Sequence, residues 1–369
     1  MSEQVQHFAP GTHPDLPPPP STVGVQGWLR SNLFSSPINT VLTIFAIYLL
    51  YVSIPPALDY AIFSAQWTGT DRSVCTYGSA CWPFIDVWMK QLMYGRYPDD
   101  ELWRINIGYV IFGISLVWLM VPNLPYKKWV GLFVLVIYPV IAFYLFYGGG
   151  FGLKVIETPL WGGLFLTLVI AVVGIVASLP IGVVLALGRR SNMPVIRAVC
   201  VVFIEFWRGV PLITVLFMAS VMFPLFMPEG ITFDKLLRAL IGVMLFSAAY
   251  MAEVVRGGLQ AIPKGQYEGA MALGLSFWRM MYLIVLPQAL KLVIPGIVNT
   301  FIGLFKDTTL VYIIGLFDFL GMVQLAGTNP DWLGFLVTGY TFAAIVFWVF
   351  CFGMSRYSIH VEKKLHTGH

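Results

Sequence analysis

From Trp161 to Leu187 the chain runs without one charged side chain. A helix needs about 20 such residues to cross the hydrocarbon core of a bilayer. Seven more apolar segments approach that length, at 39–58, 105–121, 129–147, 199–227, 237–258, 281–305 and 332–354. Backbone groups cannot stay unpaired in lipid, which leaves helices or closed barrels, and the ten-residue alternation of a barrel strand is absent. The fold class is therefore all-α, a polytopic helical membrane protein with about eight transmembrane helices. Only 11% of the 369 residues are charged, against about 25% in a soluble domain, so a soluble fold is excluded.

The ends and the longest loop are different in kind. "MSEQVQHFAPGTHPDLPPPP" is polar and proline-rich and has neither the basic nor the apolar region of a cleavable signal. Residues 1–38 read as a disordered N-terminal tail. The segment 59–104 is too hydrophilic for lipid and carries Cys75 and Cys81. On an oxidising side of the membrane a disulfide between them is possible, with two free thiols as the alternative. The cationic clusters "YKK", "GRR" and "VEKK" all fall on one side when the N-terminus is placed inside. The positive-inside rule then puts both termini in the cytoplasm and 59–104 outside it. Trp67, Trp82, Trp88, Trp103, Trp129, Trp161, Trp278 and Trp332 lie near span ends and read as interface anchors.

A glycine cluster, "FYGGGFGLKVIETPLWGG", divides the chain near residue 150. Before it, 39–150 holds three extra spans and the polar insert; after it, 151–369 holds five spans with most of the polar residues at membrane depth. Internal repeats and inverted half-to-half symmetry are not detectable, which weakens a secondary transporter of that type.

The most informative stretch is "YEGAMALGLSFWRMMYLIVLPQAL", residues 267–290. It mixes a carboxylate, glycines, an arginine and a proline with an apolar run. It predicts a short amphipathic helix inside a cytoplasmic loop at 259–280, with Glu268 early in the helix and Gly274 ending it in the left-handed conformation. Such an element suits docking into a groove of another protein, although a surface helix resting on headgroups is the simpler reading of this stretch alone. Glu268, Ala270, Gly274, Ile284, Leu286 and Pro287 are spaced as in E-A-A-x3-G-x9-I-x-L-P. This resembles the EAA motif of the inner-membrane permeases of ABC importers. Gly269 stands where that motif has its second alanine, loosening the helix by about 1 kcal/mol but removing only a methyl from its surface.

"FWRGVPLITVLF", "YMAEVVRGGLQAIPKGQ" and "KDTTLVYIIGL" look like permease segments of the polar amino-acid uptake family, and the match covers about 160–357. The layout with extra spans ahead resembles the general L-amino-acid transport permeases of Gram-negative bacteria. The resemblance implies the five-helix core of a type I importer permease in the bacterial inner membrane. It also implies a second homologous permease chain, ABC ATPase subunits and a periplasmic amino-acid-binding protein as partners, besides membrane lipid. The EAA loop would be the coupling helix, with Glu268, Gly269, Ala270, Gly274, Ile284, Leu286 and Pro287 as ATPase-coupling residues. Pro287 would bend the span that begins there.

No G-x4-G-K-[ST] occurs in the chain, so it has no loop of its own to cradle ATP phosphates. No cofactor, metal or catalytic residue is expected in it, and no nucleic acid as partner; ATP and magnesium belong to the partner ATPase. Candidate pathway residues are Glu205, Arg208, Asn299 and Thr300. Glu205 and Arg208, at i,i+3, either form a local ion pair that holds the break at Gly209 and Pro211 or attract a substrate carboxylate, and the pair is favoured. Glu253 and Arg256 read as a second i,i+3 pair. Asn299 and Thr300 serve a substrate head group or, more commonly for such side chains, hold helices together. The rival functional reading is a stand-alone ion-coupled transporter or channel, which would need intramembrane carboxylates beyond Glu205 and Glu253. A membrane enzyme would need a nucleophile–base or metal constellation.

Overall fold

The computed structural model describes residues 23–121, 123–228 and 233–365. Among the described residues no strand occurs; isolated bridges pair Gly95 with Trp161 and Gly163 with Asp318. The chain forms two compact units, the first reaching to Gln66 and including Gly78–Ala80. In it, α1 (Gly24–Asn32) stands where the sequence suggests a disordered tail; residues 1–22 of that tail lie outside the described residues. Helix α2 (Pro37–Leu58) starts at a defined cap. The Asn39 amide donates to Ser36 Oγ, and Pro37 occupies the first helical position, where an N–H has no helical partner anyway. None of its residues is buried, and with the π-helical turn Asp59–Phe63 it is long and apolar enough to span a membrane.

The second unit holds Trp67–Tyr77 and everything from Cys81 on. Its first part belongs to the polar insert and is folded. A disulfide joins Cys75 to Cys81, with Cα atoms 5.6 Å apart. Tyr77 stacks on Phe335 with ring centroids 5.6 Å apart, and the Cys81 amide donates to Thr338 Oγ1 at 3.1 Å. Helix α3 (Trp82–Tyr94) places Phe84, Ile85 and Leu92 in a core shared with Phe319 and Met322. Next come α4 (Leu102–Met120), α5 (Lys127–Leu132) and α6 (Tyr138–Tyr147). Arg104, 1% exposed, is paired with Glu101 at 2.7 Å and donates to the Lys154 carbonyl at 2.8 Å. The Tyr97 hydroxyl donates to the Phe146 carbonyl at 2.8 Å, and burial pushes its pKa up to about 12. The bond from Arg104 to Lys154 crosses residue 150, and Phe146 packs in one core with Trp161 and Phe165 beyond it.

The rest of the second unit comprises α7 (Gly163–Arg189), α8 (Pro194–Gly209), α9 (Leu212–Phe217), α10 (Phe223–Leu225) and α11 (Lys235–Ala261). After them come α12 (Lys264–Ala272), α13 (Phe277–Met280), α14 (Leu286–Leu292), α15 (Ile294–Asp307), α16 (Phe319–Gly327) and α17 (Leu336–Leu365). On α7, Gly174, Ser178, Gly182 and Ala186 recur at every fourth position and are all buried. A Cβ at Gly182 would lie 2.8 Å from Met251 Cβ on α11. In lipid, close backbone approach of this kind replaces the hydrophobic drive that packs helices in water.

Two expected spans are broken in the structure. The segment 199–227 is α8 followed by a second piece, Leu212–Phe226, bent by 100°. Val210 is extended because the following Pro211 clashes with a helical predecessor. The segment 281–305 is interrupted at Val293, and its spanning helix is Ile294–Ile314. Pro295 has no N–H to bond the Lys291 carbonyl, so α14 stops and α15 starts afresh. Seven described helices can cross a membrane, or eight with the bent pair taken as one span. Trp161 and Trp332 are core residues rather than interface anchors, being 6% and 5% exposed.

Pro139, Pro224 and Pro287 each follow a π-helical turn, at Phe133–Ile137, Met218–Met222 and Met281–Val285. A proline ring pushes on the carbonyl four residues back, and the wider turn spreads that carbonyl away. At Pro224 the carbonyls so released find a donor: Arg238 Nη1 reaches Ala219 O at 3.0 Å and Ser220 O at 2.6 Å. Pro287 thus lies within a continuous helical run, not at the start of a span.

Candidate coupling surface and transport pathway

Pro263, with φ −58° and ψ 143°, ends α11 and caps α12. The other end of α12 closes as its sequence suggests. Gly274 has φ +72°, the Leu275 amide donates to Ala270 O at 3.2 Å, and the Gly274 amide donates to Met271 O at 2.9 Å. This paired capping pattern requires a left-handed residue at 274. Glu268 sits mid-helix rather than early, because the helix begins at Lys264. At Gly269 an added Cβ meets nothing within 4 Å, so the motif's alanine would also fit.

Helix α12 has two faces. Ala270 is 2% exposed and packs with Val255, Leu259, Met281 and Val285; the half-buried Ile284 and Leu286 join the same cluster. Arg190, which follows the last residue of α7, donates through Nη1 to Leu259 O at 2.8 Å and to Tyr267 Oη at 3.3 Å. Tyr267 Oη in turn donates to Leu259 O at 3.2 Å. Gln288 Nε2 on α14 donates to Gln266 Oε1 at 3.1 Å. On the other face Glu268 and Gly269 are exposed, with Met271 57% and Leu273 79% exposed. Gly274 and Pro287 are exposed as well. The motif thus divides into residues that fasten α12 to the helix bundle and residues that face outward.

Glu205 and Arg208 do not pair with each other, contrary to the i,i+3 reading. Glu205 meets Arg189 at 2.8 Å, and Arg208 lies 3.8 Å from Glu253. Glu253 also reaches Arg189 at 3.0 Å and Arg256 at 2.8 Å. A single-helix rule fails here because the end of α7 inserts Arg189 between the partners. One carboxylate on α11 therefore joins three guanidiniums, from α7, α8 and α11 itself. Arg189 is the final residue of α7, so that helix end is one anchor of the cluster.

Arg208 also lies over the Tyr250 ring, 5.7 Å from its centroid. Tyr250 lines a cavity of about 340 Å³ with Ser247, Asn299, Thr300 and Asp307. The structure therefore gathers Asn299 and Thr300, brings Arg208 to their edge through Tyr250, and leaves Glu205 with Arg189. Thr300 donates its hydroxyl to Gly296 O at 2.9 Å, so only its lone pairs face the cavity. Ser247, Tyr250 and Asp307 are absent from the candidates drawn from sequence. Asp307 could have been found there, because it opens the "DTTLVYIIGL" stretch that carries the family resemblance.

Known proteins resemble this chain in sequence. The chain is 55% identical to the inner membrane amino-acid ABC transporter permease protein YhdY of Escherichia coli K12, with 97% of each chain covered. It is 39% identical to the glutamate/glutamine/aspartate/asparagine transport system permease protein BztC of Rhodobacter capsulatus, with 96% of each covered. A solved amino acid ABC transporter with histidines is 27% identical, covering 55% of this chain and 92% of that one at a TM-score of 0.49. Residues 178–367, from the middle of α7 through α12 to the C-terminal helix, match the binding-protein-dependent transport system inner membrane component. With a near full-length relative at more than half identity and that match over half its length, the chain belongs to the family of inner membrane components of binding-protein-dependent transport systems.

Proposed function

We propose that the chain is the permease subunit of an ATP-driven importer that carries amino acids, broad in range, across the bacterial inner membrane by alternating access. The observation that carries this reading is the two-sided build of α12. One face is bonded to α7, α11 and α14, and the other offers Glu268, Met271 and Leu273. A push on the outer face is passed to three helices at once, and rigid-body tilting of such a bundle switches access between sides. The energy comes from two ABC ATPase subunits, which bind ATP and magnesium. A second, related permease chain completes the pathway, and a periplasmic binding protein delivers the substrate. Arg190 bonds Tyr267 of α12 and Lys264 opens that helix, which supports placing it and both termini in the cytoplasm.

The amino-acid class rests on the relatives, and the cavity at Asn299, Thr300 and Asp307 is the proposed pathway, with Arg208 at its edge. Glu205 and Glu253 are both held by arginines, which leaves neither free to carry a coupling ion. Uptake of radiolabelled amino acids into right-side-out or reconstituted vesicles loaded with ATP tests the reading. Transport should require ATP on the α12 side and continue when a protonophore collapses the proton gradient. Loss of uptake with the protonophore while ATP remains would overturn it.

A further inference from the structure

We propose that a cavity between α4, α6, α7 and α11 holds one acyl chain of a phospholipid whose head group carries a primary ammonium, and that Asp234 receives that ammonium. The cavity measures about 440 Å³, and its walls include Phe112, Phe143, Phe165, Val172 and Leu240. Apolar cavities of roughly 150 Å³ stay dry and take up benzene, so this one accepts hydrocarbon. Its lining follows α7 from Phe165 to Val172, a length of about 10 Å at 1.5 Å per residue, with Trp161 just ahead of that helix. All four walls belong to helical runs of spanning length, α6 as the end of Lys127–Tyr147, so the surrounding medium is itself lipid.

The head group follows from the polar end. Thr158 and Asp234 are the polar residues there, and Asp234 is the charged side chain in the lining. Asp234 caps α11, accepting from the Leu237 amide at 3.0 Å and from the Thr158 hydroxyl, and remains exposed. The basic residues that follow it are directed elsewhere. Arg238 is bonded to Ala219 O and Ser220 O, and Lys235 Nζ lies 3.7 Å from where a Cβ on Gly315 would stand. A carboxylate at the mouth of a hydrocarbon slot attracts a cation and repels an anionic head. A primary ammonium can also donate hydrogen bonds to it, which a choline head cannot.

The test reconstitutes the full-length chain into phosphatidylcholine vesicles doped with phosphatidylethanolamine or phosphatidylglycerol carrying a photoreactive acyl chain. Crosslinked peptides are then mapped by mass spectrometry. Labelling of 139–147 and 161–172 should favour the ethanolamine lipid by about tenfold, the scale of one charge-assisted contact. Asp234→Asn retains a helix-capping side chain and should erase that preference. Ala142→Trp should remove labelling of 161–172 by filling the cavity. Equal labelling by both lipids, labelling confined to other helix faces, or an Asp234→Asn protein that keeps the preference would each overturn the proposal, whether or not Ala142→Trp inserts.

Discussion

Arg190 reaches Tyr267 from the end of α7, and the Nη1 that meets the Tyr267 hydroxyl at 3.3 Å also bonds Leu259 O at 2.8 Å. One side chain thus fixes the angle between α11 and α12 from a third helix. Arg190→Ala should leave insertion and ATPase binding intact yet lower amino-acid uptake per ATP hydrolysed by about tenfold, within the range by which coupling networks are tuned. Parallel measurement of uptake and hydrolysis in proteoliposomes checks this.

Glu253 is the hub of the ion-pair cluster and Glu205 its rim, with side chains 16% and 54% exposed. Removing a largely buried partner strands the charges around it, whereas exposed pairs contribute at most about 1 kcal/mol. Glu253→Ala should therefore lower the thermal unfolding midpoint well beyond Glu205→Ala. Equal shifts in a thermostability assay of the two purified variants would contradict this assignment.

Asp318 caps α16 by accepting from the Leu320 and Gly321 amides, and its side chain is fully buried. Burial raises its pKa from 3.8 to about 6 despite those bonds. The folded form therefore holds its proton more tightly than the unfolded one. Stability should fall as pH rises from about 4 to about 6, by up to about 3 kcal/mol, and stay at the lower value above that. Asp318→Asn keeps the cap and should flatten this part of the profile, as seen in melting curves taken between pH 4.5 and 7.5.

Gly182 marks the close approach of α7 and α11, with Met251 where a side chain would go. Gly182→Leu should cost at least about 1–3 kcal/mol through overpacking. The outward-facing Gly269→Ala, with nothing within 4 Å of the new methyl, should be neutral or slightly stabilising. Thermal melts of the two variants compare them directly.

Most span positions and the end of α12 at Gly274 were legible because apolar run length and a left-handed glycine are local properties. Partners that depend on neighbouring helices were not. Glu205 meets Arg189 instead of Arg208 because a helix 16 or more residues back in sequence ends beside it. The break at Val293 escapes a hydropathy reading because it lies within one apolar segment, where Pro295 marks it, whereas the break at Val210 is marked in sequence by Gly209 and Pro211. The stripe Gly174, Ser178, Gly182, Ala186 was readable in principle, since its four-residue spacing is written in α7. The folded insert was not, because its order comes from Phe335 and Thr338 more than two hundred residues away.

The central claim is that the outer face of α12 meets a separate ATPase. The direct measurement places a single cysteine at Glu268 in a chain otherwise retaining only its Cys75–Cys81 bridge, and introduces cysteines across the ATPase surface. Crosslinking should form at 268, depend on nucleotide state and stop transport until reduced. A chain in which 268 crosslinks to no ATPase residue in any nucleotide state, while ATP-driven uptake proceeds, would contradict the account.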